Sequence, residues 1–275
     1  TALTEATGTI TVKMAPLGWE KVYTGTNKAV YRSQDVTGTR LYLRADDSNA
    51  QYIAMTMYET MSDIDTGTGG TTLYWKKSST SDTTARAWQL VGNSSVFYWF
   101  SDWNANNYPL KPNGYLFGDF PSVKAGDAYR CLLIGHTIND PSNTYRSCDF
   151  NYARGSLYTA GQWIARSYSQ VGAAVAAYKE NASTNVTMGY GGATPYPNGA
   201  DNGLHLVPVA LFEGGTNAYR GRMPGLFVPL ENTQGVFPAL DRTVTIDGKR
   251  YLAIRVTYET TGAGNCWFLF DGEWA

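Results

Sequence analysis

The chain has 275 residues, 22 basic and 23 acidic, for a net charge of −1. That balance excludes the clustered Lys and Arg of a nucleic-acid groove or an anionic-membrane patch, and no apolar run reaches the ~18 residues of a membrane span. Charged residues make up only 16%, against roughly 25% in an ordinary soluble domain; Tyr, Phe and Trp make up 14%, enough for a large core and too many for intrinsic disorder.

The start, Thr1-Ala2-Leu3-Thr4-Glu5, lacks the basic and apolar regions of a secretory signal. A small first residue is expected where an initiator Met has been removed from a protein made in the cytoplasm. The first hairpin follows. Thr39 to Arg44 and Tyr52 to Tyr58 flank Asp46-Asp47-Ser48-Asn49, a polar turn cluster. Asp63-Ile64-Asp65-Thr66-Gly67 has the look of a calcium loop but lacks the later oxygen ligand and the bidentate Glu in register, so a solvated turn is expected. Gly67-Thr68-Gly69-Gly70 has no following Lys and forms no phosphate loop.

Trp99-Phe100-Ser101-Asp102-Trp103 opens a stretch rich in Asn, Pro and Gly that runs to Asp119. Its rings suit a core, a subunit contact or a flat platform for sugar rings. Further along, Thr159-Ala160-Gly161-Gln162 fits a capping box. Ile164, Tyr168, Val171, Val175 and Tyr178 then recur at steps of four, three, four and three. The pattern predicts one amphipathic helix over about 159–180. Tyr190 to Gly203, with Gly191, Gly192, Gly199, Pro195 and Pro197, reads as a long loop. It divides a β-rich N-terminal part, 1–190, from a C-terminal β meander, 204–275, packed on it, within two domains or one.

Gly221 to Leu230 reads as an extended segment that docks on a neighbour, because Pro224 and Pro229 restrict regular pairing. Arg220 and Arg222 would anchor it by charge. Val244 and Ile246 then lead into Asp247-Gly248, a two-residue turn that favours positive φ. Leu252, Ile254, Val256 and Tyr258 alternate with Arg255 and Thr257 as a half-buried strand. Cys266 to Phe270 is apolar on both faces and calls for cover on each side. Gln51 to Thr60 and Arg250 to Thr260 echo each other, offset by one residue, as duplicated units or as shared strand chemistry. The fold class expected is therefore mainly β: an antiparallel sandwich or barrel-like sheets with one helix and long Gly/Asn-rich loops.

Catalytic signals are weak. His136 and His205 are the two histidines, no G-x-S-x-G elbow occurs, and His136 reads as a satisfied histidine at a strand end. Asp102, Asp119, Asp149 and Glu213 are the carboxylates that lie near aromatics, as a glycoside hydrolase would need. Cys131, Cys148 and Cys266 are odd in number and widely spaced, so packed free thiols are expected in place of a disulfide framework or zinc site. No catalytic residue, metal or cofactor is assigned. An exterior of Thr, Ser, Asn, Gly and Tyr desolvates more cheaply than one of Lys and Glu. Self-assembly into symmetric oligomers is the first expectation.

A set of blocks carries a resemblance. They are Gly18-Trp19-Glu20-Lys21, Gly25 to Ser33, Gly38 to Asp47, Tyr58 to Gly69, Leu73 to Ser78, Gly118-Asp119-Phe120 and Gly221 to Leu230. Together they resemble uncharacterised virion structural proteins of tailed bacteriophages, over most of the chain from Gly18 onward. The resemblance implies a particle component of the tail, baseplate or head-accessory kind, made in the host cytoplasm, and brings no catalytic residues. Its expected partners are other copies of the chain (a trimer or higher), other virion proteins and a host surface glycan, with no nucleic acid and no membrane insertion. The candidate contact residues are Trp99, Trp103, Tyr108, Tyr115, Arg220, Arg222, Met223, Pro224, Phe227 and Pro229. A glycan-binding adhesion module and a glycoside hydrolase are the alternatives.

Overall fold

A computed structural model describes residues 17–35, 38–50, 52–76, 88–102, 112–136, 160–170, 172, 174–179, 206–213, 218–229, 243–255 and 266–274. Every regular element among them is a β-strand, and all strand pairs are antiparallel. The first layer is a meander of β1 (Trp19–Gly25), β2 (Lys28–Ser33), β3 (Tyr42–Asp46) and β4 (Tyr52–Tyr58). The two-residue strands β5 (Thr60–Met61) and β6 (Gly67–Thr68) form a separate ribbon before β7 (Thr71–Lys76) pairs with β4. The expected hairpin across Asp46 to Asn49 is present, with Tyr42 opposite Tyr58 and Asp46 opposite Ala54. Strand alternation puts Leu43 and Ala45 of β3, Ile53, Met55 and Met57 of β4, and Leu73 and Trp75 of β7 inside.

Three strands face that layer: β8 (Trp88–Gly92), β9 (Val96–Asp102) and β10 (Pro112–Asp119). Trp75 lies between them and the first sheet, stacked on Trp99 (5.3 Å, 26°) and Tyr115 (5.3 Å, 22°) and edge-on to Phe97. The other face of β9 is equally buried. Tyr98 donates its hydroxyl to the Pro224 carbonyl at 2.7 Å and meets the Trp274 ring edge-on. The burial of Tyr98 pushes its phenol pKa well up. With cover on both sides, each large ring of this layer contributes roughly 1.5–3 kcal/mol of hydrophobic stabilisation.

β11 (Cys131–His136) joins the layers. All six of its residues are buried, and it pairs with β10, with β12 (Ala160–Ile164) and, at His136, with β7. The sheet continues through β13 (Val175–Lys179), β14 (Leu206–Glu213), β15 (Tyr219–Pro229), β18 (Cys266–Phe270), β17 (Lys249–Arg255) and β16 (Thr243–Ile246). Sixteen strands thus share one curled sheet. One hydrophobic cluster takes Leu43, Trp75 and Phe97 together with Leu211, Met223, Leu226 and Leu269.

The turn at Asp247-Gly248 forms as expected. Its φ angles of 50° and 72° match the two-residue turn whose twist suits paired strands, and Gly248 takes its angle at no steric cost. Phe268 and Leu269 are both buried, so β18 is covered on both faces; so is β17, where Tyr251, Ala253 and Ile254 are all buried. The echoing strands both turn a face to the same hydrophobic cluster, Ile53 and Met55 from one and Ile254 from the other, and β17 buries Tyr251 and Ala253 on its second face as well.

The helix expected over 159–180 does not form. Its place is taken by β12 and β13, with Trp163 opposite Ala176 and Ile164 opposite Val175. Gln170 and Gly172 between them take positive φ (62° and 83°), which a right-handed helix cannot hold. β12 also pairs with β11 from Leu132–Ile164 to His136–Ala160. Non-local pairing with a buried strand outweighs the helical preference of the alanines.

Candidate assembly surface

The connection between β10 and β11 docks on β15. The Val123 N–H donates to the Arg220 carbonyl (2.9 Å), and the Arg222 N–H donates to the Pro121 carbonyl (3.2 Å). Beneath this contact lies an ion cluster with Arg220 at its centre. The Arg220 side chain is wholly buried and donates to Asp127 Oδ2, Glu213 Oε2 and the Arg166 carbonyl, each at 2.9 Å. Asp127 also accepts from the Ser122 hydroxyl (2.7 Å), the Tyr129 N–H and the Gln170 amide, and Glu213 accepts from the Tyr168 N–H (2.6 Å). Burial pushes the Asp127 carboxyl up, but the Ser122 and Arg220 hydrogen bonds outweigh it, so the group sits below the ordinary carboxylate range. Arg166 extends the network to Glu59 and lies 4.1 Å over the Tyr129 ring.

Above the cluster the surface turns apolar. Val123, Tyr168 and Tyr219 are the exposed large hydrophobic side chains among the described residues, at 54%, 44% and 42%. All three surround Arg220: Val123 through its backbone bond, Tyr168 with its ring 5.9 Å from the guanidinium, and Tyr219 as the preceding residue, packed on Phe212.

An open groove lies alongside β15, walled by Pro121, Pro208, Arg222, Phe227, Phe270 and Trp274 together with Glu273. It exists because β15 leaves regular pairing. Pro208 faces Phe227 while Ala210 faces Arg222, so Met223-Pro224-Gly225 bulges from the ladder. Trp274 is fixed there by its N–H to the Phe270 carbonyl (2.7 Å) and by Gly225, where a Cβ would lie 2.4 Å from the indole. Gly225 has φ +60°. Gly225→Ala is expected to lower stability by about 1–3 kcal/mol and to move the Trp274 indole N–H resonance. Denaturant titration and a proton–nitrogen spectrum check this, and an unmoved resonance refutes the contact.

The sequence-derived contact residues divide. Arg222 is exposed and Phe227 half-buried at the groove, while Met223 and Pro224 are buried in the bulge beneath it. The segment is a strand of this chain's own sheet, with Pro224 at the break in register and Pro229 at the strand end opposite Leu206. Trp99 and Tyr115 are corrected outright: at 3% and 0% exposure they are core rings and offer no platform to a sugar or subunit. Arg220 is likewise an internal anchor, its charge consumed by Asp127 and Glu213. Trp103 and Tyr108 lie outside the described residues, as do His205, Asp149 and the loop at 190–203. Sequence reasoning missed Val123, Tyr219, Phe270, Glu273 and Trp274 as surface residues, and placed Tyr168 on a helix stripe.

The side chain of Asp102 lies outside those described; the other polar candidates are accounted for within the fold. Glu213 belongs to the Arg220 cluster. Asp119 accepts from the Thr39 N–H (2.7 Å) and Arg130 Nε (3.2 Å), and burial raises its pKa. Asp63 caps its own turn through the N–H groups of Asp65 and Thr66, and Asp65 accepts from Lys28 (2.7 Å) and Arg44 (2.6 Å). Both carboxyls are held below the ordinary range, Asp63 by the Asp65 N–H and Asp65 by Lys28. His136 is buried at the end of β11, its ring against Tyr115, and Cys131 is a buried free thiol. Among the described residues no group of three or more His, Cys, Asp or Glu side chains is arranged for a metal ion.

Over the described residues, fold and surface define an antiparallel β protein with an aromatic interior, an internal ion cluster, and an apolar patch and a groove beside β15. No protein-family model matches the chain, and a search of curated proteins returned no relative.

Proposed function

We propose that the chain is a non-enzymatic structural component of a tailed-phage virion, of the tail-tip, baseplate or head–tail accessory kind. It works by self-assembly and by docking to neighbouring virion proteins. One observation carries this reading: the exposed large apolar side chains of the described residues gather around Arg220, whose strand and partner loop also supply Arg222 and Pro121 to the open groove. Such a concentration of aromatic, proline and arginine contacts is what a partner surface offers. The resemblance of the sequence blocks to virion proteins supports the same reading. So does the ion cluster beneath the corner, which holds the loop and β15 rigid and limits the ordering cost of association.

Sedimentation velocity over a concentration series tests it, with a trimer or higher species expected. Immunogold labelling of intact particles with an antibody to this chain tests the location. A strict monomer at the highest soluble concentration overturns self-assembly, and unlabelled particles overturn the virion assignment.

A further inference from the structure

The groove rim carries one cation and one anion, Arg222 and Glu273, both exposed. Among the described residues neither side chain has a hydrogen-bond or ion-pair partner. The nearby charges differ: Arg220 has Asp127 and Glu213, Arg166 has Glu59, Arg130 has Asp119 and Arg250 has Asp271. A patch with one charge of each sign on its rim is complementary to itself. A two-fold rotation that brings two such patches together sets the cation of one against the anion of the other and joins copies in pairs, so a trimer or higher species is built with a second contact beside this one. A polyanion would meet repulsion from Glu273, and a polycation from Arg222.

We propose that this groove is a contact between copies of the chain, in which Arg222 of one copy pairs with Glu273 of another. The inference rests on the self-assembly reading above and assigns the surface it uses. The groove alone is smaller than the roughly 800 Å² per partner of a stable interface. Val123, Tyr168 and Tyr219 add exposed apolar area to it, since the Pro121–Arg222 and Val123–Arg220 backbone contacts tie the loop that carries Val123 to the strand that carries Tyr219 and Arg222. Within the contact, Trp274 and Phe227 supply apolar area and the paired charges set the register.

Charge exchange tests the pairing. R222E and E273R are each expected to weaken self-association at least about tenfold, with urea midpoints close to that of the unaltered chain. The double variant R222E/E273R is expected to associate like the unaltered chain, and an equimolar mixture of the two single variants to form mixed oligomers. If the unaltered chain is monomeric, the self-assembly reading and this inference both fail. If it assembles and neither single variant weakens it, self-assembly stands and this surface is ruled out. If the single variants weaken it and neither the double variant nor the mixture recovers, the Arg222–Glu273 pairing is ruled out.

Discussion

Arg220→Met is expected to destabilise the protein by about 3–5 kcal/mol, a fall in Tm on the order of 10 °C for a chain of this size. The cause is what the substitution leaves behind. Asp127 and Glu213 have side-chain exposures of 0% and 4%, so two carboxylates would stay out of water with no cation beside them. The cluster is worth far less than its removal costs. Arg220 Nε has no hydrogen-bond partner among the described residues, and three charges have been desolvated to build the site. The triple variant R220M/D127N/E213Q is therefore expected to recover most of the loss. The amide at 127 still accepts from the Tyr129 N–H through its oxygen and turns its NH2 to the Ser122 hydroxyl, and the amide oxygen at 213 still accepts from the Tyr168 N–H. Urea unfolding of the single and triple variants measures both numbers; a loss below about 1 kcal/mol for R220M would show that water reaches the two carboxylates.

Acid makes the same point from the other side. The Asp127 carboxyl sits below its ordinary value in the native state, so the unfolded chain takes up the proton first as pH falls. Its contribution to stability is present above the unfolded pKa of about 3.9 and disappears as pH drops through the lowered native value. Asp119 runs the opposite way. Burial raises its pKa, so its protonated form is favoured natively and its contribution is lost as pH rises through the native value. Without Arg220, Asp127 loses a hydrogen bond and a charge that hold its pKa down, while the burial that pushes it up remains. The stability gap between R220M and the unaltered chain is therefore expected to narrow between pH 5 and pH 3, read from urea midpoints across that range.

These effects mark where sequence reading reaches and where it stops. Asp247-Gly248 and Asp46 to Asn49 announce their hairpins because a turn is local: the residues that need the special backbone angles are the ones that supply them. The stripe from Ile164 to Tyr178 misleads for the converse reason. Its five positions fit a helix, but Ile164 falls on β12 and Val175 and Tyr178 on β13, strands set by pairing with β11 and β14. Trp99 and Tyr115 look like loop rings in a chain of Asn and Pro, and only the facing of β9–β10 on β7 shows what covers them. The two prolines around Arg222 pointed to a segment docked on a neighbour, whereas it pairs within the chain's own sheet as β15, Pro224 marking only a break in register. Its partners in the groove come from Pro121, Pro208 and the stretch from Phe270 to Trp274, distant segments that meet only through β14–β15–β18 pairing. Arg220 shows the limit most plainly. Its partners lie 93 and 7 residues away, and nothing in a string of letters separates an arginine that anchors a core from one that greets a neighbour.

Trp75→Ala is expected to cost about 3–5 kcal/mol, because Trp75 is the ring on which two layers meet. It is 2% exposed, stacks on Trp99 and Tyr115, and donates its indole N–H to the Ile134 carbonyl at 2.9 Å. Its removal opens a cavity between β7 and β9–β10 and strips that carbonyl of its side-chain donor. Packing and hydrogen bonding can be told apart with Trp99, which is buried to 3% in the same stack but whose Nε1 has no partner among the described residues. Trp→Phe at either site removes a similar volume. At Trp75 it also removes a satisfied buried hydrogen bond, and at Trp99 it removes an unsatisfied donor. Trp75→Phe is thus expected to be the less stable variant by about 1 kcal/mol or more, measured by urea unfolding with the alanine variants as reference. Equal stability of the two phenylalanine variants would mean that the Ile134 contact adds nothing and that ring packing alone holds the layers together.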